Sequence, residues 1–357
     1  MPEVVRLIQV GAGSMGRAWL DAIRADPGVE LAGLVDLDAE VARRAAADHG
    51  FTGGSAAESG VDRGAATGHG PAEVVIGTDL AAVIAAARPD ALVNVTVPEA
   101  HRATTVTALE AGLPVLCEKP MAPTVAEARA MVDAAERTGR LLMVSQSRRY
   151  SPQVAAFRRL IARIGPIGTL NCQFFKAPHF GGFREEMAEP LLLDMAIHQF
   201  DLARLLTGAD PLTVGCDSYN PPWSWFAGNA AAEATFVLAG GIRFTFSGSW
   251  CAPGQETSWN GSWRVAGEHG TVTWDGDNAP VAELADGSTA VAELGGEPEG
   301  IAGSLAEFTR CVRAGDRPDS AAARNIVSLA MVEAAVRSAA EGRPVAIADV
   351  LTPTTDM

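Results

Sequence analysis

Val4-Val5-Arg6-Leu7-Ile8-Gln9-Val10-Gly11-Ala12-Gly13-Ser14-Met15-Gly16 decides the fold of this chain. A mostly apolar run of strand length passes directly into G-x-G-x-x-G, and Asp36 follows twenty positions after the last glycine. Each part has a physical task in a dinucleotide site. Gly11 makes the tight turn out of the strand, Gly13 lets the backbone approach a pyrophosphate, and Gly16 lets the following helix pack close to the strand. Backbone N–H groups at the helix start, from Ser14 and Met15 onward, then face the phosphates. An ordinary tight turn is the alternative. The strand before, the helix after and a second strand ending in Asp36 favour the dinucleotide site.

Outward from this stretch, strand-like and helix-like segments alternate. Helix 14–25 is followed by strand 30–36, an alanine-rich helix 39–48, strand 74–77 and a helix over 79–87 capped by Thr78 or Asp79. Strand 91–95, helix 99–111, strand 113–117, helix 125–138 and strand 141–145 continue the series. Six strands with intervening helices imply an α/β Rossmann fold, a doubly wound parallel sheet. Residues 52–71, rich in Gly, Ser and Ala, are expected to be a mobile loop between the second helix and the third strand.

Past about residue 150 the period changes. Residues 168–177, 212–218, 230–238, 242–250, 262–266 and 271–274 alternate like strands, with one long helix, 191–206, among them. A C-terminal α+β domain with a mostly antiparallel, open-faced sheet is expected. Two amphipathic helices, 301–314 and 321–340, and a short strand, 344–347, close the chain. A length of 357 residues suits two domains. We place a dinucleotide-binding domain at 1–148 and a substrate-binding and oligomerisation domain at 149–357, with the terminal helix packing back on the first. The open face suggests a homodimer or homotetramer.

Charge narrows the partners. Lys and Arg number 28 against 43 Asp and Glu, a net charge of −15, and no basic block interrupts the acidic balance. Nucleic acid and anionic membranes are therefore excluded as partners. Cys117, Cys172, Cys216, Cys251 and Cys311 are odd in number, far apart and without a C-x-x-C pair, which reads as reduced thiols. No apolar run reaches membrane-spanning length and no signal-like segment opens the chain, so a cytoplasmic protein is expected.

Chemistry has to come from residues beyond the glycines. The fifth strand runs into Cys117-Glu118-Lys119-Pro120, placing a charged pair at the carboxyl end of the sheet, where doubly wound folds bind ligands. Desolvation and the positive ring of an oxidised nicotinamide both disfavour the ammonium there, which suits Lys119 to proton transfer from a substrate alcohol. A surface lysine in a Pro-terminated turn is the alternative. In the helix at 191–206, Asp194, His198 and Asp201 fall at i, i+4 and i+7 on one face, beside apolar Leu192, Leu193, Ile197 and Phe200. An aspartate one turn from a histidine selects its tautomer and raises its basicity. A buried histidine satisfied by an aspartate fits the helix equally well. Metal is not expected, because neither H-E-x-x-H nor paired Cys/His spacing supplies further ligands.

These motifs, in their order and approximate spacing, resemble the Gfo/Idh/MocA family of NAD(P)-dependent oxidoreductases, which includes inositol and sugar dehydrogenases. The resemblance rests on GAGSMG with Asp36, Thr96-Val97-Pro98 with His101, Cys117-Glu118-Lys119-Pro120, Arg148-Arg149-Tyr150 and Asp194-x-x-x-His198-x-x-Asp201. Residues 325–340 followed by Gly342-Arg343-Pro344-Val345 extend it to nearly the whole chain.

What the resemblance implies is a set of roles. Lys119 would contact nicotinamide ribose and substrate hydroxyl, and His198, oriented by Asp194, would take the hydroxyl proton as hydride leaves carbon. Which of the two is the final base stays open. Glu118, Thr96, Pro98 and His101 would line the nicotinamide half of the cofactor, and Arg148 would reach toward substrate, unless Arg148 and Arg149 only cover the sheet edge. Asp36 would accept the adenosine ribose hydroxyls, which favours NAD over NADP.

The implied substrate is a polyol, cyclitol or sugar. Two other outcomes belong to the same family: an NAD-dependent glycosidase with internal redox, and a non-catalytic dinucleotide-binding sensor. Where many members carry glycines before the Asp and between Asp and His, this chain has Ala188-Glu189-Pro190 and Ala196, so its rim differs. Trp223, Trp225, Trp250, Trp259 and Trp263 fall in the second part, where aromatic faces suit sugar rings and sheet packing alike.

Overall fold

The structure, a computed structural model, describes residues 4–55 and 73–352. The chain divides into two compact units, the first made of residues up to 123, 127–147 and 300–324, the second of 124–126, 148–299 and 325 onward.

In the first unit β1 (Val5–Val10), α1 (Ser14–Ala25), β2 (Val29–Val35), α2 (Ala39–Asp48), β3 (Gly53–Ser55), β4 (Val74–Gly77), α3 (Leu80–Ala87), β5 (Ala91–Asn94), α4 (Pro98–Glu110), β6 (Val115–Glu118), α5 (Val125–Thr138) and β7 (Leu142–Ser145) follow one another. Their seven strands form one parallel sheet in the order β3-β4-β2-β1-β5-β6-β7. Strands β5, β6 and β7 are buried at every residue, as expected when helices cover both faces and alternation disappears. Strand order reverses between β1 and β5, so the carboxyl ends of these two strands define the switch point. Asp79 caps α3, its side chain accepting from the Ala82 N–H at 3.1 Å.

Six strands are expected from the sequence and seven are present. Gly53–Ser55, assigned to the loop at 52–71, pairs with β4 through backbone bonds, for which a Gly-Gly sequence carries no side-chain signal. The remainder of that loop, residues 56–71, lies outside the described residues.

The second unit contains α6 (Pro152–Ile161), β8 (Ile167–Phe175), α7 (Phe183–Glu186), a π-helical turn at Leu191–Ala196, α8 (Ile197–Thr207), β9 (Pro211–Tyr219), β10 (Ala231–Leu238), β11 (Arg243–Ser249), β12 (Ser262–Gly267), β13 (Gly270–Trp274), β14 (Val281–Leu284) and β15 (Thr289–Val291). With β16 (Val345–Ala346) these strands form a nine-stranded sheet, antiparallel except where β8 runs parallel to β11.

Register is fixed by alternation. One row across the sheet reads Phe236, Phe244, Leu170, Val265, Val272 and Ala282, all buried. The adjacent row reads Thr235, Thr245, Asn171, Arg264 and Thr273, none of them buried. A slip of one residue would exchange the two faces. Phe200 of α8 packs edge-on against Phe236 at 4.8 Å, and Phe157 of α6 meets Trp274 at 5.7 Å, so these helices cover the apolar face.

Several elements here escape the sequence reading. Helix α6 is announced by Ser151, whose hydroxyl caps the N–H groups of Gln153 and Val154, and by Pro152 at its first position. Strands β14 and β15 are short edge strands flanking an Asp286-Gly287 turn. The single helix expected over 191–206 is a π-helical turn joined to α8.

The closing elements are α9 (Gly300–Ala314), α10 (Ala322–Glu341) and α11 (Ile347–Leu351). Helix α9 belongs to the first unit, where it packs on α1 and its Ser304 hydroxyl bonds that of Ser145 at 3.2 Å. No helix among the described residues is long and apolar enough to cross a membrane.

Candidate active site

The glycine loop is built as its sequence requires. Gly11 has φ +102°, and a Cβ there would lie 2.5 Å from the Val95 carbonyl oxygen; a Cβ at Gly16 would lie 2.3 Å from the Gly11 oxygen. At Gly13 no atom lies within 4 Å of where a Cβ would be. The protein thus leaves open space at the one glycine that must admit a pyrophosphate. Helix α1 starts without a side-chain cap, so its first N–H groups are available to an anion. Asp36 stands beside the loop at the end of β2, its Oδ2 accepting from the Ala12 N–H at 2.8 Å and its Oδ1 from the Asp38 N–H at 3.1 Å. Leu37 is 98% exposed and Arg43 pairs with Glu40, so the helix arginine nearest in sequence is already engaged.

The loop has a brace that sequence reading missed. Buried Gln9 donates from Nε2 to the carbonyls of Gly11 at 2.8 Å and Gly16 at 2.9 Å, holding the turn closed. Its signal was a glutamine inside a buried strand, where an unpaired amide is costly.

At the ends of β5 and β6 stand Thr96, Pro98, His101, Glu118 and Lys119. Asn94 organises the first group, accepting from the N–H and hydroxyl of Thr96 and donating to the His101 carbonyl and the Thr105 hydroxyl. Pro98 occupies the first turn of α4, where its missing N–H is harmless. His101 is only 1% exposed, with Nδ1 2.9 Å from the Pro120 oxygen and Nε2 3.0 Å from the Thr96 oxygen. Burial pushes its titration below the ordinary histidine range, against the pull of these carbonyls. His101 therefore ties the two strand ends together from behind.

Glu118 is 8% exposed; its Oε1 accepts from the indole N–H of Trp19 at 2.9 Å and its Oε2 from the Lys119 N–H at 3.0 Å. Desolvation raises its carboxyl above the usual range, and the Trp19 bond opposes the rise. Trp19, on the inner face of α1, is the second brace missed in the sequence, because an apolar helix position gives no hint of a polar partner. Lys119 is half-buried at the mouth of these strands, and its peptide to Pro120 is cis.

In the second unit the segment around Asp194 and His198 departs from a plain helix. Residues 191–196 form a π-helical turn, a rare i→i+5 form found often at functional sites, and His198 opens the α-helical part, buried. Asp194 accepts from Nε of Arg184 at 2.7 Å, a partner the sequence reading did not foresee. The grouping of Asp201 with these two needs correction. Both of its carboxylate oxygens take bonds of 2.6 Å from Arg149, and Oδ1 also accepts from Ser328 at 2.7 Å and Asn325 at 3.2 Å. That pair is closed and buried, a structural bolt.

Arg148 donates to the Trp259 carbonyl and lies 3.7 Å from the Met195 sulfur, adjacent to the π-helical turn. Desolvation pushes its guanidinium down to about 10, which leaves it a cation at neutral pH. Of the tryptophans, Trp250 and Trp263 are core, whereas Trp223 and Trp259 are exposed.

Comparison with known proteins agrees with this fold. Residues 5–146 match the model of the oxidoreductase family with an NAD-binding Rossmann fold, and residues 154–273 match the GFO/IDH/MocA C-terminal domain. The D-apiose dehydrogenase of Paraburkholderia graminis is 30% identical over 94% of this chain and 88% of its own length. Inositol 2-dehydrogenase 4 of Saccharopolyspora erythraea is 32% identical over 58% of this chain and 55% of its own. Among solved structures, an oxidoreductase from Agrobacterium radiobacter in complex with NAD+, L-tartaric acid and magnesium superposes with a TM-score of 0.83 at 21% identity, covering 98% of this chain and 99% of that one. The two sheets, the open glycine cradle and the matched models together identify the chain: it belongs to the Gfo/Idh/MocA family of NAD-binding oxidoreductases.

Proposed function

We propose that this protein is an NAD-dependent dehydrogenase of a polyol, cyclitol or sugar, acting on a secondary alcohol or the matching ketone. The observation that carries the proposal is the open dinucleotide cradle of the first unit; a histidine that follows a π-helical turn bearing Asp194 in the second unit supports it. Bound in the cradle, the nicotinamide supplies the hydride acceptor. This chain's own residues handle the proton: Lys119 contacts the substrate hydroxyl, and His198, one turn after Asp194, accepts the proton as the carbonyl forms. Thr96 and Pro98 line the nicotinamide half of the site, while His101 and Glu118, being buried, act by holding the strand ends in place. Arg148 holds a substrate oxygen. Asp36 accepts the ribose hydroxyls and repels a 2′-phosphate, so NAD is preferred over NADP.

The sugar or polyol class is supported by the named activities of the relatives, D-apiose dehydrogenase and inositol 2-dehydrogenase, and cytoplasmic location by five unpaired thiols. We further assign self-association, as a homodimer or homotetramer, to the polar open face of the second unit's sheet. The test of the activity mixes protein, NAD and a panel of inositols and aldoses and follows NADH in the near ultraviolet. Lys119→Ala and His198→Ala are each expected to lower kcat by roughly 10²- to 10⁴-fold. Equal rates in parent and variants would sink the assignment. Release of sugar from a glycoside without net NADH would assign internal redox instead, and tight NAD binding with no turnover on any substrate a sensor.

A further inference from the structure

Between β8 and the π-helical turn runs a strap, residues 177–189, that presents aromatic side chains around one cation. Phe180 and Phe183 are exposed, the latter at 69%. The guanidinium of Arg184 lies 5.3 Å from the Phe180 ring centroid and 4.8 Å from that of Phe183, and its Nε reaches Asp194. Behind them the strap rests on tryptophan: His179 stacks on Trp225 at 3.9 Å, and Phe180 meets Trp250 edge-on at 5.2 Å. The far end is anchored by backbone. Ala227 N–H donates to the Glu185 carbonyl and Asn229 N–H to that of Ala188, both at 2.8 Å. Two glycines in the left-handed region, Gly181 at φ +65° and Gly182 at φ +63°, make the turn that brings Arg184 round.

This ion pair differs from the closed Arg149–Asp201 bolt. Asp201 receives two bonds from Arg149 and sits in the core; Asp194 receives one from Arg184, and Arg184 stays 39% exposed with its remaining N–H groups not bonded among the described residues. An isolated surface pair of this kind would be worth little. Here the cation is oriented by two aromatic faces before it meets the carboxylate, so less rotamer freedom is lost in making the bond.

We propose that Arg184 is a positioning residue for the reaction: by joining the Phe180–Phe183 strap to Asp194, it makes the order of the strap and the placement of the carboxylate beside His198 a single event. The strap runs into the π-helical turn through Ala188-Glu189-Pro190, a glycine-free and therefore stiff connection. A ring substrate resting on the exposed aromatic faces would therefore order the strap and steady Asp194 together. The inference rests on the proton-handling role given to Asp194 and His198.

Backbone hydrogen exchange of the free protein tests the coupling without turnover. Cutting either end of the clamp should speed exchange across residues 178–187, about tenfold in Arg184→Met and about threefold in Asp194→Asn, with Arg184→Lys between parent and Arg184→Met. In turnover, Arg184→Met should lower kcat about tenfold more than it changes KM, and should add no further loss in an Asp194→Asn background. Unchanged exchange over 178–187 in Arg184→Met, or additive losses in the double variant, would overturn the clamp. An Asp194→Asn protein as active as the parent would instead overturn the proton-handling assignment, while exchange still judged the clamp. Arg184→Lys, which keeps the charge, guards against a misfolded Arg184→Met.

Discussion

Glu118 shows how a site residue named by motif takes on its role from its surroundings. Burial raises its carboxyl above the usual range, so the folded protein retains a proton that the unfolded chain releases. Its contribution to stability is therefore complete below the ordinary carboxylate range and is lost as pH rises through the raised value. Glu118→Gln does not titrate. The difference in Tm between parent and Glu118→Gln should be largest near about pH 4 and shrink toward about pH 8, as read by differential scanning fluorimetry. A difference that grew with pH would mean that Trp19 and the Lys119 N–H hold the carboxylate ionised. At this scale the partners of these side chains were not legible in the sequence. Trp19 reaches Glu118 from an apolar helix face far away in sequence, and Gln9 and Arg184 meet their partners across turns that no periodic pattern encodes.

Among elements, the loop from β1 to α1 separates folding from binding. A methyl at Gly16 meets the Gly11 oxygen, whereas one at Gly13 meets nothing in the protein. Gly16→Ala should cost about 1–3 kcal/mol and lower Tm by several degrees. Gly13→Ala should leave Tm unchanged and weaken NAD binding by roughly tenfold or more, measured by calorimetry. A Gly13→Ala protein that binds NAD like the parent would place the pyrophosphate elsewhere. Apart from β3, the helices and strands of the parallel sheet were legible because glycines, caps and apolar runs mark their boundaries. The strands β3, β14 and β15 were not, since short edge pairing relies on backbone bonds and on neighbours already in place. The π-helical turn was equally hidden, because its widened pitch leaves the apolar spacing of Leu191, Leu192 and Met195 close to that of an ordinary helix.

For the whole molecule, the alternating rows of the nine-stranded sheet leave one broad face of Thr, Asn, Ser and Arg side chains. Parent protein should sediment as a dimer or tetramer, and Thr235→Arg with Thr245→Arg, which set like charges side by side on β10 and β11, should shift it to monomer with its Tm for the first unit kept. A monomeric parent would remove the sheet face as the site of assembly. The order in which the units occupy the chain has a separate outcome. Helix α9, which packs on α1, is encoded after every strand of the second unit except β16. During synthesis the glycine loop and its sheet emerge before the second unit's strands, yet the helix that packs on α1 emerges only after β15. A nascent chain stopped before Gly300 would lack the helix that packs on α1 and leave that surface bare.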